Sequence, residues 1–357
     1  MAVATMLATF PAPAAPQEAV AEPTLRVNAT EITLGGRVQT QFNTSSVDSV
    51  PWSELILRRA RLEAAIKVSE VVSGRLQADF AGDRVSVKDA YLRLQFSSAL
   101  QVMAGRAQRP FGILTQTSSV LAPVAERGAL IRGLDPLDQH NLVEGLGYSG
   151  RDVGVQLVGD PKEVPLGMRY AVGYFRGPLR GRTGPQADAP KQFVGRVSVA
   201  PLSRMRLGAS ASLRDFRGSL DAADSIPTTL RGGTALALDA EYGAFEPGLH
   251  ILGELAWGDY DPFENTRFFG AQSWLAFRTG RIGRVVAHLE PMVRVSYGDL
   301  SGSVPATLAR TQGTLLTPGL NLYFDRLNRL MLNYDAWLPA SGAPREGSFK
   351  AMFQLAF

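Results

Sequence analysis

Along most of this chain apolar and polar residues alternate one for one. Across residues 59–68 one face reads Ala60, Leu62, Ala64, Ile66 and Val68, and the other Arg59, Arg61, Glu63, Ala65 and Lys67. Leu76, Ala78 and Phe80 alternate with Arg75, Gln77 and Asp79, and Ala90, Leu92, Leu94 and Phe96 alternate with Asp89, Tyr91, Arg93 and Gln95. Residues 204–214 repeat the scheme, with Met205, Leu207, Ala209, Ala211 and Leu213 set against Arg204, Arg206 and Arg214. A period of two puts successive side chains on opposite faces of a β-strand. None of these apolar faces carries a charge. Hydrocarbon demands this, since a mid-membrane Arg or Lys on a lipid-facing strand costs about 2–4 kcal/mol.

The chain ends in the same grammar: Phe349, Ala351, Phe353, Leu355 and Phe357 are separated by residues that include Ser348, Lys350 and Gln354. A half-greasy strand running to a terminal Phe suits a bacterial outer-membrane barrel, whose last strand closes against the first and carries the insertion signal. The pattern predicts about sixteen strands, near 32–42, 55–68, 74–81, 85–96, 100–109, 151–158, 166–175, 192–199, 204–214, 233–242, 248–258, 267–278, 284–297, 312–324, 328–337 and 347–357. Every second connector is short: 69–73, 97–99, 159–165, 200–203, 243–247, 279–283 and 325–327. Those between are longer (43–54, 110–150, 176–191, 216–232, 259–266, 298–311 and 338–346), with the tight 82–84 as the exception. Short turns at one end and long loops at the other describe an all-β fold, an antiparallel up-and-down transmembrane barrel with periplasmic turns and extracellular loops. A soluble sandwich has no reason to sort loop lengths by parity. Gly35, Gly36, Gly105, Gly154, Gly173 and Gly270 fall inside strands, where bends or a closely approaching folded-in loop would use them.

Composition agrees with this picture. No stretch approaches the ~18–20 apolar residues of a membrane-spanning helix, whereas a barrel strand needs only about 9–11 alternating ones. Cysteine is absent, which removes disulfides, thiolate metal sites and cysteine catalysis. The 37 basic residues include only five Lys. Arg makes forked, permanently charged contacts with carboxylates and phosphates, so its surplus reads either as an anion-facing surface or as the codon preference of a GC-rich genome. Residues 1–23 read as a leader, with a short apolar run, the Pro/Ala-rich 11–16 and an Ala19-Val-Ala21 cleavage site, though a basic start is missing. Residues 24–357 then form a single barrel domain.

Residues 110–150 are too long for a plain connector. They carry Phe111-Gly-Ile-Leu, Val120-Leu-Ala-Pro-Val and Gly128-Ala-Leu-Ile, which must pack on something. In a barrel of about sixteen strands, wide enough for an aqueous lumen, the free surface is the inner wall. The loop would narrow the channel there, with Arg127, Arg132, Asp135 and Asp138 as constriction candidates. A lid over the mouth, or a contact between subunits, is the alternative.

Several stretches resemble the phosphate-selective porin O and P family of outer-membrane porins. They are Leu57-Arg-Arg-Ala-Arg-Leu-Glu-Ala, Gln77-Ala-Asp-Phe-Ala-Gly, Val87-Lys-Asp-Ala-Tyr-Leu-Arg-Leu-Gln-Phe, Gly105-Arg-Ala-Gln-Arg-Pro-Phe-Gly, Gly150-Arg-Asp-Val-Gly-Val-Gln-Leu and Gly319-Leu-Asn-Leu-Tyr-Phe. Their order spans residues 32–357. The resemblance implies a sixteen-stranded barrel, a homotrimer, passing small anions such as phosphate by diffusion. Its partners would be outer-membrane lipid and lipopolysaccharide, and the barrel-assembly machinery at the Phe357 strand. No cofactor and no nucleic acid is expected. Phosphate-selecting members look lysine-rich at the constriction, and this chain is not. An arginine ladder could be present in Arg37, Arg59, Arg61, Arg75, Arg93, Arg109 and Arg151, which would attract an anion yet release it. The same arginines could instead pair with Glu63, Asp79, Asp89, Asp152, Glu254, Glu290 and Asp335 across strands and stiffen the wall, leaving a general or differently tuned pore.

Other chemistry is thin. His140, His250 and His288 are the only histidines, and His250 and Glu254 would be some 13 Å apart along a strand. No hydrolase, P-loop or dinucleotide signature occurs. An outer-membrane barrel enzyme would need a cluster at the rim, where only His140 is suitably placed. A soluble all-β binding protein is the remaining competitor. Trp52, Trp257, Trp274, Trp337, Tyr242 and Tyr297 would serve interfacial girdles or ordinary packing.

Overall fold

The computed structural model describes residues 29–47, 50–131, 138–161, 164–177, 190–217, 230–243, 245–303, 312–340 and 345–357. The leader expected over 1–23, and Arg132 and Asp135 of the long loop, lie outside these residues. The strands are β1 (Glu31–Val47), β2 (Val50–Lys67), β3 (Val72–Asp79), β4 (Ser86–Gln95), β5 (Gln101–Gln108), β6 (Arg151–Gly159), β7 (Arg169–Phe175) and β8 (Gln192–Leu202). They continue as β9 (Met205–Arg217), β10 (Leu230–Tyr242), β11 (Gly248–Asp261), β12 (Thr266–Arg278), β13 (His288–Ser301), β14 (Gln312–Tyr323), β15 (Arg329–Pro339) and β16 (Glu346–Ala356). Each pairs antiparallel with its neighbours in sequence, and β1 pairs with β16 to close the barrel. Closure removes the sheet edges that lipid could not satisfy.

The alternation sorts the two surfaces as hydrocarbon and water require. Leu62, Leu76, Leu92, Leu238, Leu255, Phe353 and Phe357 face outward and are exposed, while Gln39, Gln77, Asp89, Ser212, Arg294, Lys350 and Gln354 are buried inside. At the seam Gly36 N–H donates to the Phe357 carbonyl (3.0 Å) and Phe357 N–H to that of Gly36 (3.1 Å). Two expectations change. The connector at 43–54 is largely strand, because β1 and β2 stay paired up to Val47 and Val50. At the other end, β13 begins at His288 rather than 284.

The described residues of the connector between β5 and β6 fold into the lumen and include two short helices, α1 (Ile113–Gln116) and α2 (Gln139–Gly145). Its apolar residues pack on inward-facing apolar side chains of the wall. Ile113, Leu114, Ala122 and Val124 meet Leu252, Trp274, Ala276 and Met292. Ala129 and Ile131 meet Leu315 and Trp337. Ala125 meets Met331 and Met352, and Phe111 and Tyr148, at the loop's two ends, join Phe175, Val194 and Phe268. Trp274 and Trp337 are thus packing residues of the interior, not girdle residues. Burying such side chains is worth about 1.5–3 kcal/mol each, which holds the loop to the wall.

Candidate functional site

With the loop docked against β7 to β16, the space left in the lumen is a cavity of about 820 Å³ on the side of β1 to β6. Arg37, Arg59, Arg61, Arg75, Arg93, Arg109 and Arg151 all line it, as does Arg127 of the loop. Asp138 does not. It is fully buried at the start of α2, where its carboxylate accepts from the backbone N–H groups of Ala129 (2.7 Å), His140 (3.0 Å) and Asn141 (3.3 Å). An acid in that position satisfies otherwise unpaired amides and shapes the loop.

Three further cations join them: Arg58, Lys88 and Arg106. Strict alternation would group Arg58 with Ala60 and Lys88 with Ala90, on the lipid side. The β1–β2 ladder shifts register after Gln39, which pairs with Arg59, while Thr40 pairs with Leu57, leaving Arg58 as the extra residue. The β3–β4 ladder shifts likewise, with Gln77 opposite Asp89 and Ala78 opposite Val87, leaving Lys88 over. A β-bulge re-aims a side chain in this way. Arg106 follows Gly105, whose φ of +130° suits only glycine, and its Nε donates to the Val87 carbonyl at 3.0 Å. Pattern reading misses all three. The sequence signal for the first two is a charge on an otherwise uncharged face.

The lining counts ten Arg and one Lys against three acids, Asp89, Glu126 and Glu144. Several arginines are partnered. Arg58 and Arg59 both pair with Glu126, Arg61 with Asp79 (2.7 Å), Arg75 with Glu63 and Arg151 with Asp89 (2.7 Å). Arg109 lies 3.8 Å from Asp152 and donates to Gln192 and to the Ser149 carbonyl, pinning the loop's exit. Among the described residues no carboxylate comes within ion-pairing distance of Arg37, Arg93, Arg106, Arg127 or Lys88. Arg37 reaches Ser118 Oγ at 3.5 Å, Arg93 the Met103 sulfur at 3.5 Å, and Arg127 the Thr117 carbonyl.

The opposite wall holds the loop by its backbone. Arg294 Nη1 donates to the carbonyls of Glu126 (2.7 Å) and Arg127 (2.9 Å). Arg329 Nη2 donates to Val120 (2.8 Å) and Ala122 (2.7 Å), and Asn321 to Pro123 (2.8 Å). Glu254 accepts from Leu114 N–H (2.9 Å) and Gln139 Nε2 (2.6 Å). The histidines are engaged locally: His140 with Glu144 (2.9 Å), His250 with Glu241 of β10 (3.1 Å) and His288 with the Thr279 carbonyl (2.9 Å). Among the described residues no cluster of three or more His, Asp or Glu could hold a metal ion.

The sequence profile described as phosphate-selective porin O and P matches residues 32–259. No curated protein matches the chain. Among solved structures, the outer membrane channel DcaP of Acinetobacter baumannii superposes with a TM-score of 0.63 at 14% identity, over 92% of this chain and 97% of that one. OmpT of Vibrio cholerae, an outer membrane protein in a trimer form, gives 0.58 at 11% identity, over 92% and 99%. Salmonella typhi OmpF in complex with daunomycin gives 0.57 at 12%, over 92% and 98%. Likeness at such identities speaks for the fold. The profile, by contrast, covers more than half of this chain, and with its closed barrel, apolar outside and charged lumen the chain belongs to the phosphate-selective porin O and P family, a channel of the bacterial outer membrane.

Proposed function

We propose that the channel passes small anions, phosphate among them, by diffusion, and that it works as a homotrimer in outer-membrane lipid and lipopolysaccharide. The observation that carries this reading is the lining of the lumenal cavity beside the loop, eleven cations against three acids. Rings and ladders of Arg and Lys concentrate anions, and spreading them over several strands keeps any one contact weak enough for release. The trimer form of the Vibrio cholerae protein supports the assembly state, and the half-apolar β16 supports delivery by the barrel-assembly machinery. A second, less selective reading has its own support, since acids on the wall and loop neutralise Arg58, Arg59, Arg61, Arg75 and Arg151.

Planar-bilayer recording separates the two. Under a KCl gradient the purified protein should give a reversal potential of anion sign, weakened in the Arg59→Ala plus Arg61→Ala variant, and inorganic phosphate should block the chloride current. A reversal potential near zero, with no block, would leave the general pore. Absence of channels would remove both.

A further inference from the structure

We infer that Arg294 is a positioning residue that sets the channel's ion selectivity through Glu126, whose carboxylate sits on the Arg58–Arg59 pair as a built-in counter-anion. The inference rests on the anion-channel reading. Glu126 differs in origin from the other acids that pair with the wall arginines. Asp79, Glu63, Asp152 and Asp89 are strand residues, fixed by the barrel itself. Glu126 belongs to the loop, yet its Oε2 is 3.0 Å from Arg58 Nη2 and 3.0 Å from Arg59 Nη2 on β2. The bulge that turns Arg58 inward is what lets two consecutive arginines share it. A carboxylate held by two guanidinium groups has the chemistry of an anion bound in transit.

The placement of that carboxylate is decided on the far wall. Arg294 donates to the consecutive carbonyls of Glu126 and Arg127, so the peptide that carries Glu126 cannot rotate freely. Arg294 is in turn held by Asp335 Oδ1 (2.6 Å) and Thr317 Oγ1 (2.7 Å), and Asp335 Oδ2 is bound by Lys350 Nζ (2.6 Å). The side chains of Arg294, Asp335 and Lys350 are each 1% exposed, so none of them touches a solute. The hydrogen bonds by which Arg294 acts on the pore run through the loop backbone. With Glu126 clasped, Arg58 and Arg59 offer a passing anion less than their charge suggests; with the clasp lost, both become free sites.

Full-length Glu126→Gln and Arg294→Met channels, compared with wild type in planar bilayers, test this. Glu126→Gln should move the reversal potential toward stronger anion preference and lower the phosphate concentration for half-block about tenfold, equivalent to about 1.4 kcal/mol. Arg294→Met should shift both in the same direction, and the double variant should go no further than Glu126→Gln alone. A merely structural Arg294 would change conductance for both ions and leave the permeability ratio as it was, which would overturn its role. An unchanged reversal potential and unchanged block in Glu126→Gln would overturn the whole inference, whether or not the Arg294 variant assembles. A wild type without anion preference would sink the anion-channel reading alone, since the shift between variant and wild type is read independently.

Discussion

Gly270 of β12 and Gln139 of α2 touch so closely that no side chain fits between them. A Cβ at 270 would lie 2.8 Å from Gln139 Cγ and 3.0 Å from its Cα. Gln139 is anchored there by Glu254 and by Ser296 Oγ, which accepts from its N–H at 3.2 Å. The other side of α2 presents His140, Asn141 and Glu144 to the cavity. A Gly270→Leu substitution should therefore push α2 off the wall and into the open space. The expected result is a folded, heat-modifiable barrel with reduced single-channel conductance. Wild-type conductance would mean that the loop is not seated on β12.

The outer surface can be tested at its middle. Leu255 is central in β11, 44% exposed, and opposite Leu238 of β10. Leu255→Arg should cost about 2–4 kcal/mol, the penalty for a cation in the lipid midplane. Reversible urea unfolding in lipid vesicles measures it. A loss below about 0.5 kcal/mol would place this face outside the hydrocarbon.

Phe357 extends the β1–β16 seam by one further pair of backbone hydrogen bonds. Phe357 exchanges two backbone hydrogen bonds with Gly36 and is 70% exposed on the outer face. Deleting it should lower the yield of heat-modifiable barrel from a refolding mixture more than truncating the other end, before Thr30, does. Equal yields would assign the seam to the remaining β1–β16 pairs.

The clasp on Glu126 has a pH signature. Burial by itself would raise this carboxyl, but Arg59 and Arg58 outweigh it and hold the group well below its usual 4.5, at about 2. A carboxyl lowered in the folded state keeps its ion pair above the ordinary value and loses it only as pH falls through the lowered one. The difference in reversal potential between wild type and Glu126→Gln should thus stay constant from about pH 7 to about pH 4 and vanish toward about pH 2. Asp89, Glu144 and His140 line the same cavity in both channels, so the variant is compared with wild type at each pH. A midpoint near 4.5 would show a carboxyl free of its arginines.

The sixteen strands, their order and the sorting of faces were legible because period two is a local property, readable residue by residue. Arg37, Arg59, Arg61 and Arg75 face the lumen for that reason alone. One further signal lay unused in the chain. From β10 onward the inward positions turn apolar at Leu252, Trp274, Met292, Leu315, Met331 and Trp337, and a wet face with such residues announces that something apolar docks on it. Arg58 and Lys88 showed only as charges on an otherwise apolar face, and their turn into the lumen was not legible. Each stands at a bulge, and a bulge is set by pairing between strands rather than by the alternation within one.

What the sequence by itself determined is a cylinder with an apolar outside, a charged inside and one long apolar loop, since hydrophobic period and connector length need no distant contact. Which wall the loop chose, that Asp138 caps α2 instead of facing the lumen, and that Glu126 reaches Arg58 and Arg59 from a peptide held by Arg294, only the tertiary structure decided. Those outcomes depend on register and packing between residues far apart in the chain, and alternation is blind to both.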